Sequence, residues 1–203
     1  MQAIPSKSHK RYTYADYKMW DDKARYELID GVPYIGGKQF TGVPGTVTMM
    51  TPPPARKHQG ISMELSRQIS NFLHCKPCMV YAAPFAVRLN AKGDDDTVVE
   101  PDIVVVCDNS KLSDKGCDGA PDMVIEILSP STARLDRIVK FNKYLGVGVR
   151  EYWIVDPDEK AVSVHVLKDG EYFTTIYVEN DTIPVAVLGG CQINMQDVFA
   201  EES

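Results

Sequence analysis

Two short runs in this 203-residue chain carry a carboxylate among side chains suited to burial. In VVEPDIVVV, Asp102 shares a face of the extended chain with Val104 and Val106; in DMVIEIL, Glu126 shares one with Val124 and Leu128. An unpaired buried carboxylate costs several kcal/mol, so each needs a cation, a proton or donated hydrogen bonds. On neighbouring strands the two would suit a divalent metal with oxygen ligands, which polarises a bound group and lowers the pKa of a bound water. The segment after Glu126 adds Asp136, Lys140 and Lys143 on one helical face, roughly opposite Leu135 and Ile138, and a strand-to-helix turn would bring Lys140 within reach of both acids. Spacing alone favours a plainer reading, in which Asp136 and Lys140 form a surface i,i+4 pair worth about 0.3 kcal/mol.

The elements that would position these groups follow from periodicity. RYELIDGVPYIGGK alternates around Asp30-Gly31 and reads as an N-terminal β-hairpin. After the Pro- and Gly-rich loop TGVPGTVTMMTPPPARKHQG, Ile61, Leu65, Ile69, Phe72 and Leu73 recur at helical spacing from His58 to Leu73. MVYAAPFAVRLN and TVVEPDIVVVCD each read as one strand, separated by the charged turn AKGDDD. Asp122 to Leu128 is another strand, and Pro130 ends it. Ser131 or Thr132 then caps a helix that lays Leu135, Ile138, Val139 and Leu145 on the sheet and stops at Gly146 or Gly148. REYWIVDPD closes a strand-helix-strand unit, which implies a parallel crossover. The C-terminal part is a hairpin turning at Asp169-Gly170, followed by a short closure with one helical turn over Met195 to Phe199.

Composition narrows the class. With 44% hydrophobic residues the chain is globular, and the expected organisation is a flexible tail over residues 1–11 and one domain over 12–203. No apolar run approaches the roughly 18 residues that cross a bilayer, and the basic N-terminal stretch lacks a signal peptide's apolar segment; the expectation is a soluble, cytoplasmic protein without a membrane partner. A net charge of −6 argues against a non-specific polyanion binder, although Lys and Arg cluster at Lys7 to Arg11, at Arg56 and Lys57, and along Arg134, Arg137, Lys140 and Lys143. Five cysteines without a secretory signal are expected to stay reduced, and the isolated Cys75-x-x-Cys78 pair, beside His74, is read as structural ahead of redox or zinc chemistry.

The order of these elements, with PD opening one strand and an acid embedded in the next, resembles the PD-(D/E)XK nuclease superfamily. More closely, RYELIDG, PPPARKHQGIS, VVEPDIVVV, GAPDMVIEILSPSTARLDRIVKFNKYLGVGVREYWIVDP and QINMQDVF resemble the bacterial Uma-type family of putative restriction endonucleases over most of residues 12 to 199. The resemblance implies an α/β (α+β) fold: a restriction endonuclease-like core whose central mixed β-sheet is flanked by helices, with N-terminal and C-terminal β-hairpin additions. It makes Asp102 the PD aspartate and Glu126 the acid of the (D/E)XK element, both metal ligands, with the Ile127 backbone carbonyl as a third. The superfamily lysine position is filled by Leu128, so the lysine comes from the following helix, where Lys140 matches. Glu27 matches an N-terminal acid that approaches the metal through water, and His58 the start of the first core helix; their plainer readings are an exposed strand residue and a helix flank.

What the resemblance implies is Mg²⁺-dependent hydrolysis of nucleic-acid phosphodiesters, with Mn²⁺ as the other candidate ion, DNA as the expected substrate and a homodimer as a possible assembly. Two other readings stay open: a catalytically inactive interaction module on the same fold, and a metal-dependent phosphoesterase with another substrate. Asp122, in a second PD, competes with Asp102 for the motif and is better explained by turn chemistry.

Overall fold

The computed structural model describes residues 10–22, 24–47, 53 and 55–200. Most of the tail expected over residues 1–11, His9, and two prolines of the PPP run lie outside them. Two sheets dominate. A seven-stranded sheet runs in the order Lys38–Gln39, Val32–Ile35, Tyr26–Ile29, Val98–Val99, Val87–Arg88, Gly116–Asp118, Leu112–Ser113. A six-stranded sheet runs Glu171–Val178, Ala161–Lys168, Glu151–Asp156, Met123–Ile127, Ile103–Val106, Met79–Ala82. Within the second, Met123–Ile127 and Glu151–Asp156 are parallel, as the crossover between them requires, and the other pairs are antiparallel. Both hairpin turns form as their sequences imply, with Asp30-Gly31 and Asp169-Gly170 each at positive φ, the geometry of a two-residue turn between twisted strands.

Alternation along the six-stranded sheet divides the core. Ile103, Val105, Ile125, Ile127, Trp153 and Val155 pack on Ile61, Leu65, Ile69 and Leu73 of the long helix Arg56–Leu73, together with Ile183, Ile193, Met195 and Val198 near the C-terminus. Val104, Val106, Val124, Leu128, Tyr152 and Ile154 form the opposite face, against Ile29, Val87, Leu89 and Val99 of the first sheet and Leu135 and Tyr144 of the crossover helix. Glu126 belongs by parity to this second face, between the sheets.

Two runs read as single strands are each divided. Val98–Val99 lies in the seven-stranded sheet and Ile103–Val106 in the six-stranded one; between them Pro101 has no N–H to continue a ladder, and the chain crosses from one sheet to the other at Glu100–Pro101–Asp102. Met79–Ala82 and Val87–Arg88 divide likewise, around a cis Ala83-Pro84 bond. The crossing segments are joined, because the Ala83 N–H donates to the Asp102 backbone carbonyl at 2.9 Å.

The crossover helix also departs from the expected form. Leu135–Lys140 is a π-helix that passes into the α-helix Phe141–Val147, ended by Gly148 at φ 81°. Its inward face is Leu135, Asp136, Lys140 and Tyr144, while Ile138, expected on the sheet, is 54% exposed. The start is shared by Ser129 and Thr132: the Ser129 carbonyl accepts from the Ala133 N–H and the Thr132 carbonyl, directly before the first helical residue, from the Asp136 N–H, both at 3.0 Å, and the two side chains are bonded to each other. Against this turn lies Gly37, at φ +76°, where an added Cβ would fall 2.3 Å from the Ser131 carbonyl oxygen. The cysteines require a further correction. Met79 opposes Val106 in the register, which sets Cys78 beside Cys107, and the two form a disulfide with Cα atoms 4.0 Å apart; Cys75, Cys117 and Cys191 are free. No described helix is long and apolar enough to cross a membrane.

Two measurements probe this packing. His165 is buried beside Phe141, Tyr152 and Tyr172, with Nδ1 2.7 Å from Thr174 Oγ1. Burial, with a smaller contribution from Arg137, lowers its pKa to about 4. Because the folded value lies below the unfolded one, the neutral ring's full contribution is present above about pH 6.5 and is lost as pH falls towards about 4, on the order of 3 kcal/mol in all. Urea unfolding of His165→Phe across that window should therefore show a shallower loss than wild type, and parallel profiles would refute the linkage. Gly37→Ala should lose about 1–3 kcal/mol from the added steric and backbone strain; unchanged thermal unfolding would show that the hairpin does not press on the helix start.

Candidate functional site

The site is assembled at the junction of the two sheets. Met123–Ile127 delivers Glu126, the crossing segment delivers Asp102, the strand Tyr26–Ile29 of the other sheet delivers Glu27, and the crossover helix delivers Asp136, Lys140 and Tyr144. His58 enters from the first turn of the long helix. All of Asp102, Glu126, Lys140, Glu27, His58 and Ile127 are thus brought into one neighbourhood.

Lys140 is its centre. Its Nζ lies 2.7 Å from Glu27 Oε1, 3.0 Å from Glu126 Oε1 and 3.3 Å from Asp136 Oδ1, with only 4% of the side chain exposed. The plain surface pair is therefore excluded, since Asp136 and Lys140 are both buried. Burial disfavours an ammonium, but Glu126, Glu27 and Asp136 outweigh it and hold the Lys140 pKa well above its ordinary value. Glu126 is pushed the other way for a carboxylate: burial raises its pKa, and Lys140 only partly offsets that. The Asp136 carboxyl is raised for the same reason, burial exceeding the attraction of Lys140. Three carboxyl groups thus surround one cation in a desolvated site, and burial pushes two of them towards their neutral forms.

Tyr144 and Tyr152 supply support that the sequence reading missed. The Tyr144 hydroxyl donates to Glu126 Oε1 at 2.8 Å, and the Tyr152 hydroxyl donates to the Asp136 carbonyl at 3.1 Å. That carbonyl also accepts from the Phe141 N–H, five residues on, so Tyr152 fastens the widened turn to the sheet. A signal for Tyr144 existed in its spacing: it follows Asp136 and Lys140 at successive intervals of four.

The second half of the site is more open. Asp102 Oδ2 accepts from the Ile127 N–H at 2.7 Å and lies 3.3 Å from His58 Nε2. Burial works against a charged His58, yet Asp102 and the Ile127 backbone prevail and raise its pKa. Side-chain exposure is 21% for Asp102, 17% for Glu27 and 13% for His58, against 5% for Glu126, so the first three form the entrance and Glu126 the floor. Asp122 lies elsewhere, accepting from the Cys107 N–H and pairing with Arg150, which leaves Asp102 as the PD aspartate beside this cluster.

Among the described residues, no three His, Cys, Asp or Glu side chains converge as a ready-made metal cage. The donor set is smaller. The bonds above engage Asp102 Oδ2 and Glu126 Oε1, which leaves Asp102 Oδ1 and Glu126 Oε2 as oxygen donors to a cation; the Ile127 carbonyl is already approached by His58 and has one further lone pair to add. Such a set fits Mg²⁺, which keeps several waters and needs one or two carboxylates.

Known proteins share this architecture. A crystal structure of a putative nuclease belonging to DUF820 from Anabaena variabilis superposes with a TM-score of 0.67 at 21% identity, covering 91% of this chain and 94% of that one. The shared fold is restriction endonuclease-like. An uncharacterised protein of Synechocystis is 23% identical over 189 residues, 91% of this chain and 90% of the relative. Residues 36–196 match the Uma2 family model, described as putative restriction endonuclease, and the match spans the lysine-centred acidic cluster except Glu27; the chain belongs to the Uma2 family.

Proposed function

We propose that the protein is a Mg²⁺-dependent endonuclease, with DNA as substrate and Mn²⁺ as a competent substitute. The observation that carries this reading is the buried Lys140 ammonium shared by Glu27, Glu126 and Asp136, beside a fourth acid, Asp102, at an open entrance. The cluster holds more carboxyl groups than bases, and burial pushes Glu126 and Asp136 towards their protonated forms; a divalent cation is the other way to satisfy such carboxyl groups. Membership of a family described as restriction endonucleases supports the same reading.

In this proposal Asp102, Glu126 and the Ile127 carbonyl hold the metal. When bound, it supplies a Lewis acid for the phosphate and a water of lowered pKa. Lys140 orients the attacking water and stabilises negative charge that develops on the phosphate. Asp136 and Tyr144 are positioning residues: one holds Lys140 from its own helix, the other fixes one oxygen of Glu126. Glu27 bridges Lys140 to the entrance, and His58 orients Asp102.

The test is direct. Purified protein is incubated with plasmid, single-stranded DNA and structured RNA in Mg²⁺ or Mn²⁺, beside Glu126→Gln and Lys140→Met. Glu126→Gln preserves shape and hydrogen bonding and should lower cleavage by about 10²–10³-fold, as should Lys140→Met. Equal residual nicking by all three proteins would overturn the assignment. Chelation of divalent ions should abolish cleavage, and full activity in excess chelator would remove the metal from the reaction. Lys140→Met leaves three acids without their cation and should also cost about 3–5 kcal/mol in stability; calorimetry that finds no loss would contradict the buried network.

A further inference from the structure

A pocket of about 290 Å³ is lined by Tyr17, Trp20, Ala24, Arg25, Tyr26, Pro84 and Glu100. Its aromatic wall is braced internally. Trp20 lies 5.3 Å from Tyr17 and 4.9 Å from Tyr26, centroid to centroid, and the Tyr17 hydroxyl donates to the Tyr26 carbonyl. On the polar side, Arg25 Nη2 pairs with Glu100 Oε2 at 3.0 Å, with 47% of the Arg25 side chain and 17% of the Glu100 side chain exposed.

The pocket and the acidic cluster are joined through the Glu100 backbone, although Tyr26 and Glu27 point to opposite faces of their strand. The Glu100 N–H donates to Glu27 Oε1 at 3.1 Å, the same oxygen that receives Lys140. Arg25 and Tyr26 run directly into Glu27, and Glu100 precedes Asp102 by two residues, a backbone span of at most about 7 Å.

We propose that this pocket receives one unstacked nucleobase of a single-stranded or locally opened nucleic acid and so seats the adjoining phosphodiester at the candidate site; the inference rests on the nuclease reading above. Aromatic faces accept any base by stacking, and the Glu100 carboxylate offers an acceptor to its edge. A base inside an intact duplex cannot enter, so the pocket selects strands whose bases are already free or easily extruded.

Binding can be read without cleavage. The anisotropy of a labelled ten-nucleotide single strand is followed in EDTA at about 0.1 M salt, because affinities of this kind depend on salt, and compared with a blunt duplex of the same sequence. Wild type should favour the single strand by tenfold or more, and Trp20→Ala or Glu100→Gln should each weaken single-strand binding about tenfold, consistent with one lost stacking or edge contact. In Trp20→Ala the remaining tryptophan is Trp153, fully buried, and its emission reports whether the core is intact. Equal affinity for duplex and single strand, or undiminished binding by both folded variants, would overturn the pocket. If the pocket variants lose binding while Glu126→Gln still cleaves like wild type, the pocket stands and the catalytic assignment fails; Glu126-dependent cleavage with undiminished binding by the pocket variants gives the converse.

Discussion

A single ammonium group holds together parts of the protein that meet nowhere else in the sequence. Lys140 belongs to the crossover helix, Glu126 to a central strand of the six-stranded sheet and Glu27 to a strand of the seven-stranded sheet, and all three meet within 3.0 Å of its Nζ. Charge of this kind is expensive to bury, and only the combined attraction of several acids keeps the lysine protonated there. The neighbouring features serve that balance. The π-helical stretch sets Asp136 and Lys140 towards the sheet, Tyr152 holds that stretch, and Tyr144 shares Glu126 with the lysine.

The same arrangement separates floor from entrance. Glu126 and Lys140 are sealed, whereas Asp102, Glu27 and His58 retain access to solvent. In the proposed enzyme this places Glu126 and Lys140 at the low-dielectric end and Asp102, Glu27 and His58 at the end open to solvent. Neither the net charge of −6 nor this acidic cluster favours a polyanion, so in the proposed enzyme a bound divalent cation would have to offset that repulsion at the site.

Much of this was legible in the residues. Asp102 and Glu126 stood out because acids in β-branched runs need partners, and both hairpins and the parallel crossover followed from turn chemistry and order. The facing of the crossover helix was not legible, since a 3.6-residue period carries Ile138 inward, while the widened turn leaves it exposed and turns Asp136 and Lys140 to the core. The divisions at Pro84 and Pro101 were hidden because both halves of each run have strand-forming sequences. The Cys78–Cys107 bond was hidden for a different reason: it depends on the register of Met79 against Val106, which no cysteine count supplies.

The divided strands have a mechanical consequence. Two segments, Ala83–Phe85 and Glu100–Asp102, run from one sheet to the other and are bonded to each other where they pass. Shear between the sheets would have to stretch both straps together and pull Asp102 away from the Ile127 amide. The spacing between Asp102 and Glu126 is consequently set by connectivity as well as by local bonds, so a loosening of the inter-sheet core far from the acids would be felt first as a change in the width of the site.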